Sequence, residues 1–510
     1  MFDVAVVGLG PTGAVAAALL AQAGLSVWAC DKLQGVYDIP RAIALDHEVL
    51  RVFQQLGVLE AVLPHCEPFT PSEYFGVDGQ LIRRMTMVAP PFPQGYVPSM
   101  VFTQPPVERA LRAHLAAQQN LTLALGTEVQ HVAQNRDSAT LTTSGGEVRA
   151  RRVIACDGGS SAVRTQLDIP LADLGFDEPW LVVDVHVNPS GLAKLPATSV
   201  QYCEPDRPCT FVIGPQNHRR WEISLKAGED PAEAATPERT WALLSRWLTP
   251  EDGTLWRQSS YRFHALVASR WRERRVFLAG DAAHMQPPFL GQGMCQGIRD
   301  ATNLAWKLIT VQRGEIQGAA AERLLDSYGL ERGAHVRELT TRLKGVGAVI
   351  CERDADKARA RDTRMLADCG GVVRDTPRQD ILPGLTTGWL SATPSSARGS
   401  LFPQPRLADG AGAILMDKRF GRSWRLVLAA GVVAPDIGTS PTLIALGNPG
   451  AAELDGVVAA WMAHHACTAA LVRPDHCVFG TANDNASLTA LLAEHQAAMN
   501  CLTGDPHETT

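Results

Sequence analysis

Residues 3–32 read DVAVVGLGPTGAVAAALLAQAGLSVWACDK, and this stretch decides the fold. Val4 to Val7 form a continuous apolar run, suited to a strand buried on both faces of a parallel sheet. Gly8, Gly10 and Gly13 follow as G-x-G-x-x-G, then an Ala/Leu-rich helical segment from Ala14 to Ala23 that Gly24 ends. Leu25 to Ala29 make a second strand, which runs into Asp31 and Lys32. Such a turn suits a dinucleotide. Gly8 permits the tight turn, Gly10 lets backbone approach a pyrophosphate, and Gly13 lets helix and strand pack closely. The pyrophosphate then sits at the helix start beside Pro11 and Thr12, and Asp31, 18 residues beyond Gly13, accepts hydrogen bonds from a ribose. The motif alone does not choose between FAD and NAD.

The bulk numbers set this turn in a globular protein of two or three domains: 510 residues, 45% hydrophobic, 20% charged, with a net charge of −6. That balance gives no electrostatic reason to expect nucleic acid or an anionic membrane as partner. The eleven cysteines are scattered, odd in number and never spaced C-x-x-C, which argues against a disulfide framework and a zinc site and for a reducing compartment. No run of about 20 apolar residues exists to span a membrane. Asp3 stands where a signal peptide would be basic, so a cytoplasmic location is expected.

Further along, Glu48 to Gln55 is helical, with Arg41 in a Pro-Arg loop before it, and Gln104 precedes another helix. "VRARRVIACDGGSSAVRTQL" repeats the strand-turn-helix grammar: a strand at Val153 to Ala155, then Asp157 and Gly158, with Ser161 and Arg164 leading into a helix that Asp157 is placed to cap. From Trp180 the texture changes. "WLVVDVHV", "TSVQYC", "CTFVIG" and "RWEISL" are short β-branched and aromatic runs between turns, the mark of an antiparallel sheet. At Val276 to Ala279 a buried strand returns and enters "GDAAHMQPPFLGQGMCQGIRD", which holds more backbone specialisation than a core turn needs.

These three motifs, in this order, resemble the single-component FAD-dependent aromatic hydroxylases, with the likeness covering most of residues 1 to 340. The implied fold is α/β (α+β overall): a Rossmann-like FAD-binding domain (1–75, 98–179 and 265–382) with an inserted antiparallel β-sheet substrate domain (76–97 and 180–264). The resemblance also implies the cofactor contacts. Gly8, Gly10, Pro11, Thr12, Gly13, Asp31, Lys32, Arg41, Gln104 and Val129 belong to the FAD site. Asp157 and Gly158 lie near the pyrophosphate, Asp281 meets the ribityl chain, and Gly291 and Gly293 let the chain approach the flavin. The amides of Met294 and Cys295 hold the pyrimidine edge; an Asn is common where Cys295 stands, an exchange that a backbone contact tolerates.

The implied chemistry is reduction of FAD by NADH or NADPH, addition of O₂ as a flavin hydroperoxide, and oxygen transfer to a small phenolic aromatic acid of the 3-(3-hydroxyphenyl)propionate type. The Pro288 carbonyl is the candidate partner of the substrate hydroxyl, and Arg207 the candidate for its carboxylate. His284 is the candidate base, set against a structural role in its loop, which is the preferred reading. Alternatives are a hydroxylase of larger polyketide- or quinone-like aromatics, a flavin reductase without oxygenation, and a non-catalytic nucleotide-binding protein. No metal is expected.

"RDADKARARDTR" reads as a solvated helix. Beyond about Pro383 a Gly/Pro/Ser-rich linker leads into residues 383–510, similar to the thioredoxin-like domain that ends phenol-hydroxylase relatives. Without C-x-x-C it does no dithiol chemistry, and a structural or oligomerisation role, as in a homodimer, is expected; Trp461 and Leu471 are read as core.

Overall fold

The structure, a computed structural model, describes residues 1–437 and 440–499; Cys501 and the end of the 383–510 segment lie outside the described residues. A parallel sheet is built from Val276–Leu278, Gly146–Ala155, Phe2–Val7, Val27–Asp31 and Leu121–Leu125 in that spatial order. Val4 to Val7 are buried, as a strand covered on both faces requires. The first helix begins at Pro11, inside the glycine turn, and ends at Gln22. Its end displaces the second strand from Leu25–Ala29 to Val27–Asp31, because the Leu25 N–H is spent on the Leu20 carbonyl. Gly8 holds φ +91°, and a Cβ on Gly13 would lie 1.9 Å from the Gly8 carbonyl oxygen, so the turn needs glycine at both places.

The second sheet has nine strands: His284–Met285, Gly253–Ala268, Leu171–Val187, His218–Ser224, Cys209–Ile213, Ser199–Tyr202, Ser72–Phe75, Leu81–Thr86 and Asp375–Pro377. It exceeds the borders expected from sequence. Residues 72–75, 171–179, 265–268 and 375–377, read as part of the FAD-binding segment, are strands of this sheet. Two of its strands, of 17 and 16 residues, run unbroken through the expected borders and pair with each other.

In the last third, Thr442–Ala445, Arg425–Leu428, Ala469–Val472 and Val478–Ala482 form a four-stranded sheet. Only the Ala469–Val472 strand is reversed against the other three, the arrangement of a thioredoxin-like domain. Leu471 is fully buried, and Trp461 packs edge-on against Phe402. A wholly buried ionic cluster joins this part to the helices Gly293–Gln312 and Gly318–Ile350. Glu331 bonds Lys307 (2.9 Å) and Arg473 (2.7 Å), and Arg473 also bonds Asp475 (2.6 Å). The "RDADKARARDTR" stretch is helical at Ala355–Ala367 and mostly exposed, as expected, with Ala358, Arg361 and Asp362 turned inward. Arg361 and Asp362 pair at 2.7 Å in the interior, and Asp362 accepts the Val77 amide at 2.8 Å, fastening the helix to the nine-stranded sheet.

One buried base predicts acid lability. Burial lowers the His47 imidazole from 6.5 to about 4, although Asp46 beside it pulls the other way. The unfolded chain therefore binds a proton below 6.5 that the folded chain refuses, so this contribution is intact above pH 6.5 and lost as pH falls towards 4. It amounts to about 3 kcal/mol at pH 4. Urea unfolding at pH 7 and pH 4 should show that loss in the wild type and a smaller one in His47→Gln; equal losses would refute the assignment.

Candidate active site

Three strand ends of the parallel sheet meet at one cavity of about 430 Å³. Its walls include Gly10, Pro11 and Thr12 after the first strand, Cys156 and Gly158 after Gly146–Ala155, and Ala279 and Asp281 after Val276–Leu278. The carboxyl ends of parallel strands are where such folds hold ligands. The opposite wall is the face of the nine-stranded sheet, with Val182, Gln201, Thr210, Val212, Arg220 and Glu222. Phe263 and Phe289 close the apolar side, both packed on the buried Trp180.

Asp31 is already a hub. Its Oδ2 accepts the Leu9 amide (2.9 Å) and pairs with Arg112 (3.0 Å), and its Oδ1 accepts the Leu33 amide (2.8 Å), which fixes the glycine turn. Gln104 braces the Arg41 loop: its Oε1 accepts the Arg41 and Ala42 amides at 2.8 and 2.6 Å. Asp157 accepts the Val163 amide at 3.1 Å, sharing the cap of its helix with Ser161, and Arg164 reaches from that helix to the Ala282 carbonyl at 3.0 Å. The second and third motifs are thereby tied together. Val129 is buried in a strand beyond Thr127, whose amide meets the Asp31 carbonyl, and Lys32 is exposed beside Asp31.

Asp281 opens into the cavity, and burial pushes its carboxyl up from the usual carboxylate range. The helix Gly293–Gln312 starts on the cavity wall. Its first internal bond runs from Gln296 N–H to the Gln292 carbonyl, so the amides of Gly293, Met294 and Cys295 are the orphan donors of the helix start. Gly293 and Met294 line the cavity and Cys295 does not; its thiol is wholly buried, and burial raises it well above its ordinary value.

His284 Nε2 bonds Asp300 at 2.8 Å, and its ring stacks on Trp271. Asp300 also bonds Arg332 at 2.8 Å and the Gly280 amide at 2.9 Å. This gives the imidazole the task of anchoring the loop. The Pro288 carbonyl closes a turn on the Gly291 amide at 2.7 Å and keeps a second lone pair. Arg207 is corrected. Its guanidinium is closed on Glu229 through two bonds of 2.8 Å, and it is absent from the cavity wall, so it is not available for a substrate carboxylate. His186 stacks on Trp256 and Tyr202 bonds Trp247, both away from the cavity wall.

Sequence reading missed the sheet wall. Asp184 is fully buried and bonds Arg220 (2.7 Å) and His218 (2.7 Å); burial raises its carboxyl, but these two partners more than reverse that and hold it low. Arg220 in turn donates to the Arg41 carbonyl at 2.8 Å. An acid inside the apolar run "WLVVDVHV" was the available signal.

The residues fit FAD. A Cβ on Gly10, Gly158 or Gly293 would meet no protein atom within 4 Å, so the three line a cradle that side chains would fill. Both polar atoms of the Gln286 amide on its wall are buried without partners, as are Asp157 Oδ1, next in sequence to the lining residues Cys156 and Gly158, and Arg112 Nε and Nη1 beside Asp31.

A family described as "FAD binding domain" matches residues 1–343. A probable NADH-specific resorcinol 4-hydroxylase of Rhodococcus jostii is 36% identical, over 98% of this chain and 95% of its own length. A 3-(3-hydroxy-phenyl)propionate/3-hydroxycinnamic acid hydroxylase of Mycolicibacterium gilvum is 31% identical, over 93% of this chain and 88% of its own. Among solved structures, the flavin-dependent monooxygenase PieE, in complex with FAD and substrate, superposes with a TM-score of 0.79 at 20% identity, over 98% of this chain and 99% of its own. Aklavinone-11 hydroxylase does so with 0.77 at 23% identity, over 97% and 98%. Among the described residues no helix is long and apolar enough to cross a membrane.

Proposed function

The chain belongs to the FAD binding domain family, and from that premise we propose that it is an FAD-dependent monooxygenase that hydroxylates a small phenolic ring with O₂ and NADH or NADPH. The observation that carries the reading is the meeting of three dinucleotide-type turns with an antiparallel sheet face around one cavity. The net reaction is phenol + O₂ + NADH + H⁺ → catechol + H₂O + NAD⁺. The resorcinol hydroxylase relative, NADH-specific by name, favours NADH here.

Bound in this cavity, FAD would supply the hydride acceptor and the activation of oxygen. The chain supplies the rest. Gly10, Gly158 and the helix start at Pro11 would hold the phosphates, Asp281 would meet the ribityl hydroxyls, and the orphan amides at the helix start, Gly293 and Met294 on the cavity wall with Cys295 behind them, would steady negative charge on the pyrimidine edge. Phe263 and Phe289 keep water from the reacting ring. The free lone pair of the Pro288 carbonyl accepts a hydrogen bond from the substrate hydroxyl, orients it and polarises its O–H bond, which makes the ring more electron-rich. A cavity of about 430 Å³, shared with the flavin ring, sits near the lower end of the roughly 300–1,000 Å³ usual for ligand sites. That favours a single ring over a polyketide. We also read the chain as three parts, with the substrate sheet extending to 72–86, 171–268 and 375–377 and the last part beginning near 383.

Purified with FAD, the protein should be yellow and should oxidise one NADH per catechol formed across a panel of phenols. A colourless protein that takes up no FAD would sink the proposal. NADH oxidation that ends only in H₂O₂ with every ring would favour the reductase alternative.

A further inference from the structure

One transverse row of the sheet wall has an unexpected chemistry. The strand register sets Gln201 opposite Thr210, Thr210 opposite Glu222, and Glu222 opposite Val182. Directly opposed residues share a sheet face, and all four line the cavity. Thr210 Oγ1 donates to Gln201 Oε1 at 2.6 Å. The Gln201 NH₂ and the Glu222 carboxyl are left as the open polar groups of the row. Glu222 is 7% exposed, and among the described residues its carboxyl has neither hydrogen bond nor ion pair.

The neighbouring cations are committed elsewhere. Arg220 closes its fork on Asp184 at 2.7 and 3.0 Å, Arg257 lies 3.6 Å from Asp184, Arg262 pairs with Asp177 at 2.8 Å, and Arg41 pairs with Glu108 at 3.3 Å. The remaining lining arginine, Arg378, donates to Ser72 Oγ at 3.2 Å and the Leu290 carbonyl at 3.1 Å, and lies across the Phe69 ring. The sheet wall thus offers a ligand an acceptor and an amide donor, and the lining cation with no carboxylate partner among the described residues is Arg378.

We propose that Glu222 sets substrate specificity by accepting a hydrogen bond from a second hydroxyl of an uncharged, polyhydroxylated phenol, and by disfavouring rings that carry a carboxylate there. The inference rests on the hydroxylase reading and narrows its substrate class. Burial pushes the Glu222 carboxyl up to about 7, with the push of Asp184 and against the pull of Arg220 and Arg257. It is therefore already reluctant to hold charge and resists sharing its site with a ligand carboxylate, which would have to reach Arg378 instead. A ring hydroxyl meets the reverse situation, a buried carboxyl lacking the partner that such groups require.

The test uses oxidised holoenzyme and reads ring binding from the change in flavin absorbance, apart from turnover. The probes are phenol, 1,3-dihydroxybenzene, 3-hydroxybenzoate and 3-(3-hydroxyphenyl)propionate. Wild type should bind the dihydroxy ring about tenfold more tightly than phenol and about a hundredfold more tightly than either acid. Glu222→Leu should erase the tenfold gain while phenol binding stays within about threefold. Glu222→Gln, which keeps an acceptor of the same shape, should retain most of the gain and relax the rejection of acids. If an acid binds most tightly to wild type, is indifferent to Glu222→Leu and is lost in Arg378→Met, the specificity proposal falls while the hydroxylase reading stands. If no ring perturbs the flavin, both fall.

Discussion

Gly10→Val protein folds and purifies without colour, its affinity for FAD lowered by about a thousandfold or more. The backbone at Gly10, with φ −65° and ψ −179°, is one that any residue adopts, and a Cβ there meets no protein atom within 4 Å. The valine side chain therefore costs the chain nothing sterically, but it projects into the cavity at the helix start where the pyrophosphate is read to sit. Losing the close approach and the amide contacts together removes on the order of 4 kcal/mol of binding, the equivalent of that thousandfold. Gly13→Ala supplies the contrast. Its Cβ would lie 1.9 Å from the Gly8 carbonyl oxygen and 3.2 Å from Cys156 Cβ, so the strand and helix themselves must part. Circular dichroism with FAD titration separates the cases: native spectrum and lost FAD for Gly10→Val, disturbed fold for Gly13→Ala. A Gly10→Val protein that kept wild-type FAD affinity would remove this turn from the cofactor site.

Glu331→Ala should be the most destabilising single change outside the cofactor turn. Glu331 receives Lys307, both Nη atoms of Arg473, the Asn303 amide and the Trp389 backbone N–H, all in the interior. Burial would raise its carboxyl, but Arg473 and Lys307 outweigh that and keep it well below its ordinary value. Truncation leaves Lys307, already lowered to about 8 by burial, with its nearest counter-charge gone. Removing one partner of a buried pair costs about 3–5 kcal/mol, which for a chain of this length corresponds to a melting point roughly 3–5 °C lower. Glu331→Gln, isosteric but uncharged, should fall in between. A melting point within 2 °C of wild type for the alanine variant, measured with saturating FAD, would show that the cluster contributes no net stability. Because Arg473 and Asp475 come from the last sheet's neighbourhood and Lys307 and Glu331 from the central helices, the same variant should speed proteolysis in the 383–400 linker.

The glycine turn, the capped second motif and the loop at Gly280 were legible because each is local: glycines, caps and strand ends sit within about 20 residues of one another. The substrate wall was not. In "RWEISL", alternation sends Trp221 and Ile223 to one face and Arg220, Glu222 and Ser224 to the other. The ordinary reading gives the polar face to water, whereas here it faces an internal cavity. Arg207 misled for the complementary reason. A lone cation in a loop has no visible partner in sequence, and its partner Glu229 lies 22 residues away. Asp300 and Arg332, which turn His284 into an anchor, are likewise distant in sequence and adjacent only in the fold.

The nine-stranded sheet also imposes an order in time. Its edge strand Asp375–Pro377 pairs in parallel with Leu81–Thr86, and Arg378 next to it bonds the loop carbonyl of Leu290. A ribosome adding about 5–20 residues per second needs roughly 15–60 s to travel between those two strands. Through that interval the cofactor turns are still being completed, for the first strand pairs with Gly146–Ala155 and that strand with Val276–Leu278, and the sheet wall keeps an unpaired edge at Leu81–Thr86. The last strand of the chamber therefore arrives after every cofactor turn has been made, and chaperone protection matters most between the emergence of residues 86 and 375.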